Sequence, residues 1–91
     1  MEIADFLKSL NIDAAGSEQD GQYVVEIANA GDYAKIYSSL DSSDALELDE
    51  NSIEMDEDNS VMFYDGDEYT CKLIGDLKNN KYQLIVTPIE K

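Results

Sequence analysis

Residues 61–73 read Val61-Met62-Phe63-Tyr64-Asp65-Gly66-Asp67-Glu68-Tyr69-Thr70-Cys71-Lys72-Leu73, two strand-like runs separated by a turn signal. The position of that turn decides which side chains face the core. Strand side chains alternate, so a slip of one residue reverses a whole strand. Asp-Gly is the commonest signal of a two-residue type I′ hairpin turn. Placed at Asp65-Gly66, such a turn sets Val61 and Phe63 on the face opposite Tyr69 and Cys71. A three-residue loop, Tyr64-Asp65-Gly66 with Gly66 left-handed in a G1 bulge, pairs Val61 with Tyr69 and restores one apolar face. The sequence therefore predicts the bulged loop, with Met62 and Tyr64 turned outward.

The same period of two extends on both sides, at Leu46/Leu48, Ile53/Met55, Tyr69/Cys71/Leu73 and Tyr82/Leu84/Val86. A two-residue loop at Glu50-Asn51 sets Leu48 opposite Ile53 and Leu46 opposite Met55. A three-residue loop at Glu57-Asp58-Asn59 sets Met55 opposite Val61 and Ile53 opposite Phe63. A two-residue turn at Asn79-Asn80 pairs Leu77 with Tyr82 and Leu73 with Val86. Five strands then fit one antiparallel meander.

Upstream the period changes. Ile3, Phe6, Leu7 and Leu10 share the i, i+3, i+4, i+7 spacing with Tyr33, Ile36, Tyr37 and Leu40, which predicts short amphipathic helices over 3–10 and 33–40. Asn11 suits a left-handed C-cap with Ile12 as its apolar contact, and Asp32 suits an N-cap. Between the helices lie a polar loop, 16–21, and a strand near 23–28 that can pair at either edge of the meander. The expectation is one α+β domain over 1–91, with two short amphipathic helices packed on one face of a mostly antiparallel β-meander sheet.

The chain has 91 residues and a formal net charge of −15. Between Asp41 and Glu68 stand twelve carboxylates and no Lys or Arg. Such uncompensated charge works against compactness, so it serves solubility or a positively charged partner. Leu, Ile, Val and Phe number 22, just above the range of disordered acidic chains, and their periodic placement favours a fold. The start, Met1-Glu2-Ile3-Ala4-Asp5, does not resemble a signal peptide, and no apolar run is long enough to span a bilayer. With one cysteine, Cys71, the expectation is a soluble cytoplasmic protein. All six basic residues are Lys, which suits direct contact with neither nucleic acid nor an anionic membrane.

Catalytic chemistry has little to stand on. The chain holds no His, and Cys71 shares strand parity with Tyr69 and Leu73, which makes it a core residue. No phosphate-binding GK[ST] motif follows Gly16 or Gly21. The expectation is a non-enzyme with no cofactor. Residues Asp56, Asp58 and Ser60 open like a calcium loop, but Val61 stands where that loop needs Gly and Asp67 where it needs Glu. No specific metal site is expected there, only weak cation association.

The same register points Glu47, Asp49, Glu54 and Asp56 to solvent, with Glu47 opposite Glu54. Beside them come Met62 and Tyr64, then Glu68, Thr70 and Lys72. Carboxylates two apart on a strand are about 6.6 Å apart, which makes a regular negative array. The candidate partner-binding residues are Glu47, Asp49, Glu54, Asp56 and Glu68, with Met62 and Tyr64 as apolar anchors. The plainer use of such a face is to keep an exposed sheet edge from aggregating.

In Glu47, Asp49, Glu54, Asp56, Asp58, Asp65, Asp67 and Glu68 the chain resembles the phage-encoded inhibitors that imitate DNA, among them anti-CRISPR, anti-restriction and uracil-DNA glycosylase inhibitor proteins. The resemblance is compositional and covers the acidic half of the chain. It implies a basic, nucleic-acid-binding protein partner in a bacterial host cytosol, with carboxylates standing in for phosphates. The chain is similar in the same respects to immunity proteins that block nuclease toxins. A general protein-interaction or assembly module, acidic for solubility, is the alternative.

Overall fold

The computed structural model describes residues 3–10, 12, 16–44 and 46–89. Helix α1 covers Ile3–Ser9. It closes where the Ile12 amide donates to the Leu7 carbonyl at 3.0 Å, the six-to-one bond of a Schellman end. Asn11, expected as the cap residue, lies outside the described residues.

Strands β1 (Gly16–Gln19) and β2 (Gln22–Ile27) form a hairpin where a polar loop was expected. Its turn is Asp20-Gly21, with φ of 51° and 80°, the type I′ geometry that Asp-Gly favours. The opening residue of β1 has to be small. A Cβ on Gly16 would lie 2.6 Å from the Val24 carbonyl oxygen, and the Gly16 amide donates to the Tyr23 hydroxyl at 3.2 Å.

Helix α2 (Ala30–Asp41) starts three residues before the expected 33. Asn29, not Asp32, is its N-cap: the Asn29 side-chain oxygen accepts from the Asp32 amide at 2.9 Å, and its side-chain NH2 donates to the Asp32 carboxylate at 3.2 Å. The Asn29 side chain thus caps one free amide of the first turn, and its contact with the Asp32 carboxylate holds it in place.

The chain continues through β3 (Leu46–Leu48), a 3-10 turn (Glu50–Ser52), β4 (Glu54–Met55), β5 (Asn59–Gly66), β6 (Tyr69–Asp76) and β7 (Lys81–Pro88). Seven strands make one sheet in the order β1-β2-β7-β6-β5-β3, with β4 also on β5. Every ladder between them is antiparallel. The fold is α+β, and the strand near 23–28 finds its place beside β7. Four antiparallel steps leave β2 and β3 parallel, so α2 is the crossover between them.

The register corrects several expectations. Tyr64 lies opposite Cys71 and Met62 opposite Leu73, so the alternate residues of β5 face the core. The last β5–β6 pair is Asp65 with Thr70, so the chain reverses over 66–69 and Gly66 is not left-handed. The physical reason is that all four residues of 61–64 are apolar and satisfy either parity. Turning later keeps Asp65 in the ladder and buries the larger Tyr64.

Nor do β3 and β4 form a hairpin. The Asp49 carboxylate caps the 3-10 turn, accepting from the Asn51 amide at 3.1 Å and the Ser52 hydroxyl at 2.9 Å. Both short strands then lie against β5, Leu48 opposite Tyr64 and Glu54 opposite Val61. The expected pairs Leu48–Ile53 and Met55–Val61 are absent: Met55 faces Ser60, and Ile53 and Met55 are 36% and 68% exposed. Leu73 pairs with Leu84 instead of Val86, because residues 77–80 make the turn and Asn80, with φ of 53°, takes its left-handed position. That shift of two preserves parity.

One core cluster joins Phe6, Leu7, Leu10, Ile36 and Leu40 of the helical segments to Val25, Met62, Tyr64, Cys71, Leu73, Leu84 and Val86 of the sheet. Phe6 meets Tyr69 at a ring-centroid distance of 4.7 Å, and Tyr33 meets Tyr82 at 4.8 Å.

Candidate functional site

The acidic segment builds one side of the sheet. Residues 41–68 run from the end of α2 through β3, the 3-10 turn and β4 into β5 and the turn beyond it. Eleven of its twelve carboxylates are exposed, and the twelfth, Asp49, is half-buried. The expected partner-binding residues separate into three groups there.

Glu47 and Glu54 are exposed and point to the outer face of the sheet. Their neighbours differ from those expected: Glu47 lies opposite Asp65 and Glu54 opposite Val61. Asp49 and Asp56 hold turns. The Asp56 carboxylate accepts from the amides of Asp58 at 2.8 Å and Asn59 at 2.7 Å, which fixes the reversal into β5. Glu68 sits in the turn after β5, where its carbonyl accepts from the Ile89 amide at 2.9 Å.

Met62 and Tyr64 form the third group, and they are not anchors. Their exposures are 4% and 1%, so both belong to the core. Parity puts Val61 and Phe63 on the outer face in their place, each half-buried. The register also assigns Val24, Ile74 and Ile85 to that face, again half-buried. The signal for these five was the unbroken apolar runs at 23–25, 61–64, 73–74 and 84–86, which mark strands apolar on both faces.

The titratable groups with altered pKa values lie away from the acidic edge or beneath it. Burial pushes the Cys71 thiol up to about 12, and the side chain is fully buried. Burial, and then the charge of Asp41, raises the Tyr64 hydroxyl to about 12. Asn79 hydrogen bonds hold Asp76 below the usual carboxylate range, through contacts of 2.8 Å and 3.3 Å. Among the described residues no group of three or more His, Cys, Asp or Glu could hold a metal ion, the acidic loop 56–60 included. No helix among them is long and apolar enough to cross a membrane.

What remains is a set of exposed carboxylates on and around the short strands β3 and β4, next to an outer face with five half-buried apolar side chains. No family model, curated protein or solved structure matches this chain.

Proposed function

We propose that this chain is a non-enzymatic inhibitor that binds a basic, nucleic-acid-handling protein, its acidic edge occupying the groove that would otherwise take a phosphate backbone. In this reading the two amphipathic helices cover the opposite face of the sheet and take no part in contact. The supporting observation is that eleven of the twelve carboxylates of 41–68, a stretch with no Lys or Arg, are at solvent, Glu47 and Glu54 among them on the short strands that border β5. Exposed carboxylates attract the cationic groove that phosphates attract, and they steer encounter over a Debye length. Such a partner places the protein in the cytoplasm.

One observation favours the plainer alternative, an interaction or assembly module acidic for solubility. Asp49 and Asp56 direct their carboxylates into their own turns, so part of the acidity shapes loops. The two readings separate in a competition assay with a partner captured from bacterial lysate. In the inhibitor reading, DNA or RNA displaces the chain from its partner, and the pair Glu47→Lys with Glu54→Lys weakens the complex by about tenfold or more, as loss of paired charges does. A complex that survives saturating nucleic acid and the charge swap rules out mimicry.

A further inference from the structure

The outer face of the sheet carries five half-buried apolar side chains where a sheet with one solvated face should be polar. An antiparallel sheet covered on one side alternates apolar inward and polar outward. Here Phe63 lies opposite Lys72, Lys72 opposite Ile85, and Ile85 opposite Val24, while in the next row Val61 lies opposite Ile74. These five apolar side chains span four strands. None of them belongs to the core cluster or packs against it.

The borders are polar. One side is closed by Glu47, Asp65, Thr70 and Thr87, which follow one another across the strands. The row of Val61 and Ile74 ends in Glu54 on one side and in Gln83 followed by Glu26 on the other. An apolar centre inside a polar rim is the anatomy of a protein interface. We infer that this open face is the docking surface for the apolar centre of a basic protein partner, with Val24, Val61, Phe63, Ile74 and Ile85 as its anchors.

Charge selects the occupant. A second copy would bring rim against rim, each carrying Glu26, Glu47, Glu54 and Asp65 on a chain of net charge −15. An anionic membrane is repelled by the same rim. A cationic protein surface complements it. Lys72 adds a condition: it is exposed and flanked in the register by Phe63 and Ile85, so its ammonium head would need a carboxylate or carbonyl acceptor on a partner that covers this face. The inference rests on the partner being basic and adds where, and through which apolar contacts, it binds.

Two synthetic peptides of equal positive charge test it, one alternating Leu with Lys and one alternating Gly with Lys. Each is titrated into the isotopically labelled chain at low salt and followed by amide and methyl NMR. The Leu-Lys peptide should bind at least about tenfold tighter, since the buried leucines add apolar contact. Its shifts should centre on Val24, Val61, Phe63, Ile74 and Ile85. Phe63→Thr with Ile85→Thr should abolish that preference and leave Gly-Lys binding unchanged; threonine keeps strand propensity, and Ile85→Thr alone carries the test if the pair unfolds. Equal affinities with shifts confined to 41–68 overturn the docking face but leave the basic partner standing. Failure of both peptides to bind removes the inference together with the reading beneath it. A dimer in sedimentation that Phe63→Thr disperses gives the face to a second copy and overturns it too.

Discussion

Tyr64 holds the one buried side-chain polar atom without a hydrogen-bond partner among the described residues, its hydroxyl oxygen. A buried hydroxyl with no partner is desolvated without compensation, so removing it relieves a cost. Tyr64→Phe should leave stability unchanged or raise it by up to about 1 kcal/mol in denaturant unfolding. A loss larger than that would mean the hydroxyl is bonded. Beside it, Cys71 is fully buried with its thiol raised from 9.0 to about 12. Both groups favour the neutral form in the fold, so their stabilisation is complete below the unfolded pKa values and lost as pH rises through the folded ones. For Cys71 that window runs from 9.0 to about 12, and for Tyr64 from 10.0 to about 12. Within it the unfolded thiol has lost its proton and the folded one has not, so unfolding becomes easier by about 1.4 kcal/mol per pH unit. Melting temperature should therefore fall steadily above pH 9, and Cys71→Ala should flatten the first part of that fall. At pH 8 the native thiol should resist alkylation until denaturant is added; rapid labelling of the folded protein would contradict its burial.

At the scale of elements, two Asp-Gly pairs met different fates. Asp20-Gly21 makes the type I′ turn, while Asp65-Gly66 stays in a strand. Gly21→Ala should cost about 1 kcal/mol or more, because φ of 80° strains any side chain. Gly66→Ala, without a positive φ, should cost less, and equal losses would indicate that Gly66 also turns. The like-charged pair is likewise testable: Asp65→Asn should stabilise by a few tenths to about 1 kcal/mol by relieving Glu47, and Glu54→Gln, opposite Val61, should do less. These elements also show what the sequence made legible. The two helices were visible in their i, i+3, i+4, i+7 spacing, although Tyr37 of the second stripe is exposed, and β6 and β7 in the strict alternation of Tyr69, Cys71, Leu73 and of Tyr82, Leu84, Val86. On β5 four consecutive apolar residues carry no parity, so Val61 and Phe63 were exchanged with Met62 and Tyr64. The β3–β4 hairpin failed because side-chain caps from Asp49 and Asp56 outweigh alternation in strands two or three residues long. Glu47 and Glu54 kept their exposure through all of this; their neighbours did not.

For the molecule as a whole, one charge distribution governs two measurements in opposite directions. The net charge is −15, and residues 41–68 carry twelve carboxylates with no Lys or Arg among them. Between about 0.01 and 0.15 M salt the Debye length shrinks from about 30 to about 8 Å, which quiets repulsion within the chain and attraction toward a cationic partner together. Melting temperature should therefore rise with salt while the association rate with the partner falls. Substitutions should divide along the same line. Glu47→Lys changes long-range steering, so it should lower the association rate and weaken its salt dependence. Phe63→Thr changes only contacts made after encounter, so it should raise the dissociation rate and leave the salt dependence alone. Rates that respond to Phe63→Thr and not to Glu47→Lys would make the open face the seat of affinity and the acidic edge a guard against aggregation. The reverse result would make the edge the partner site and leave the apolar face without an occupant.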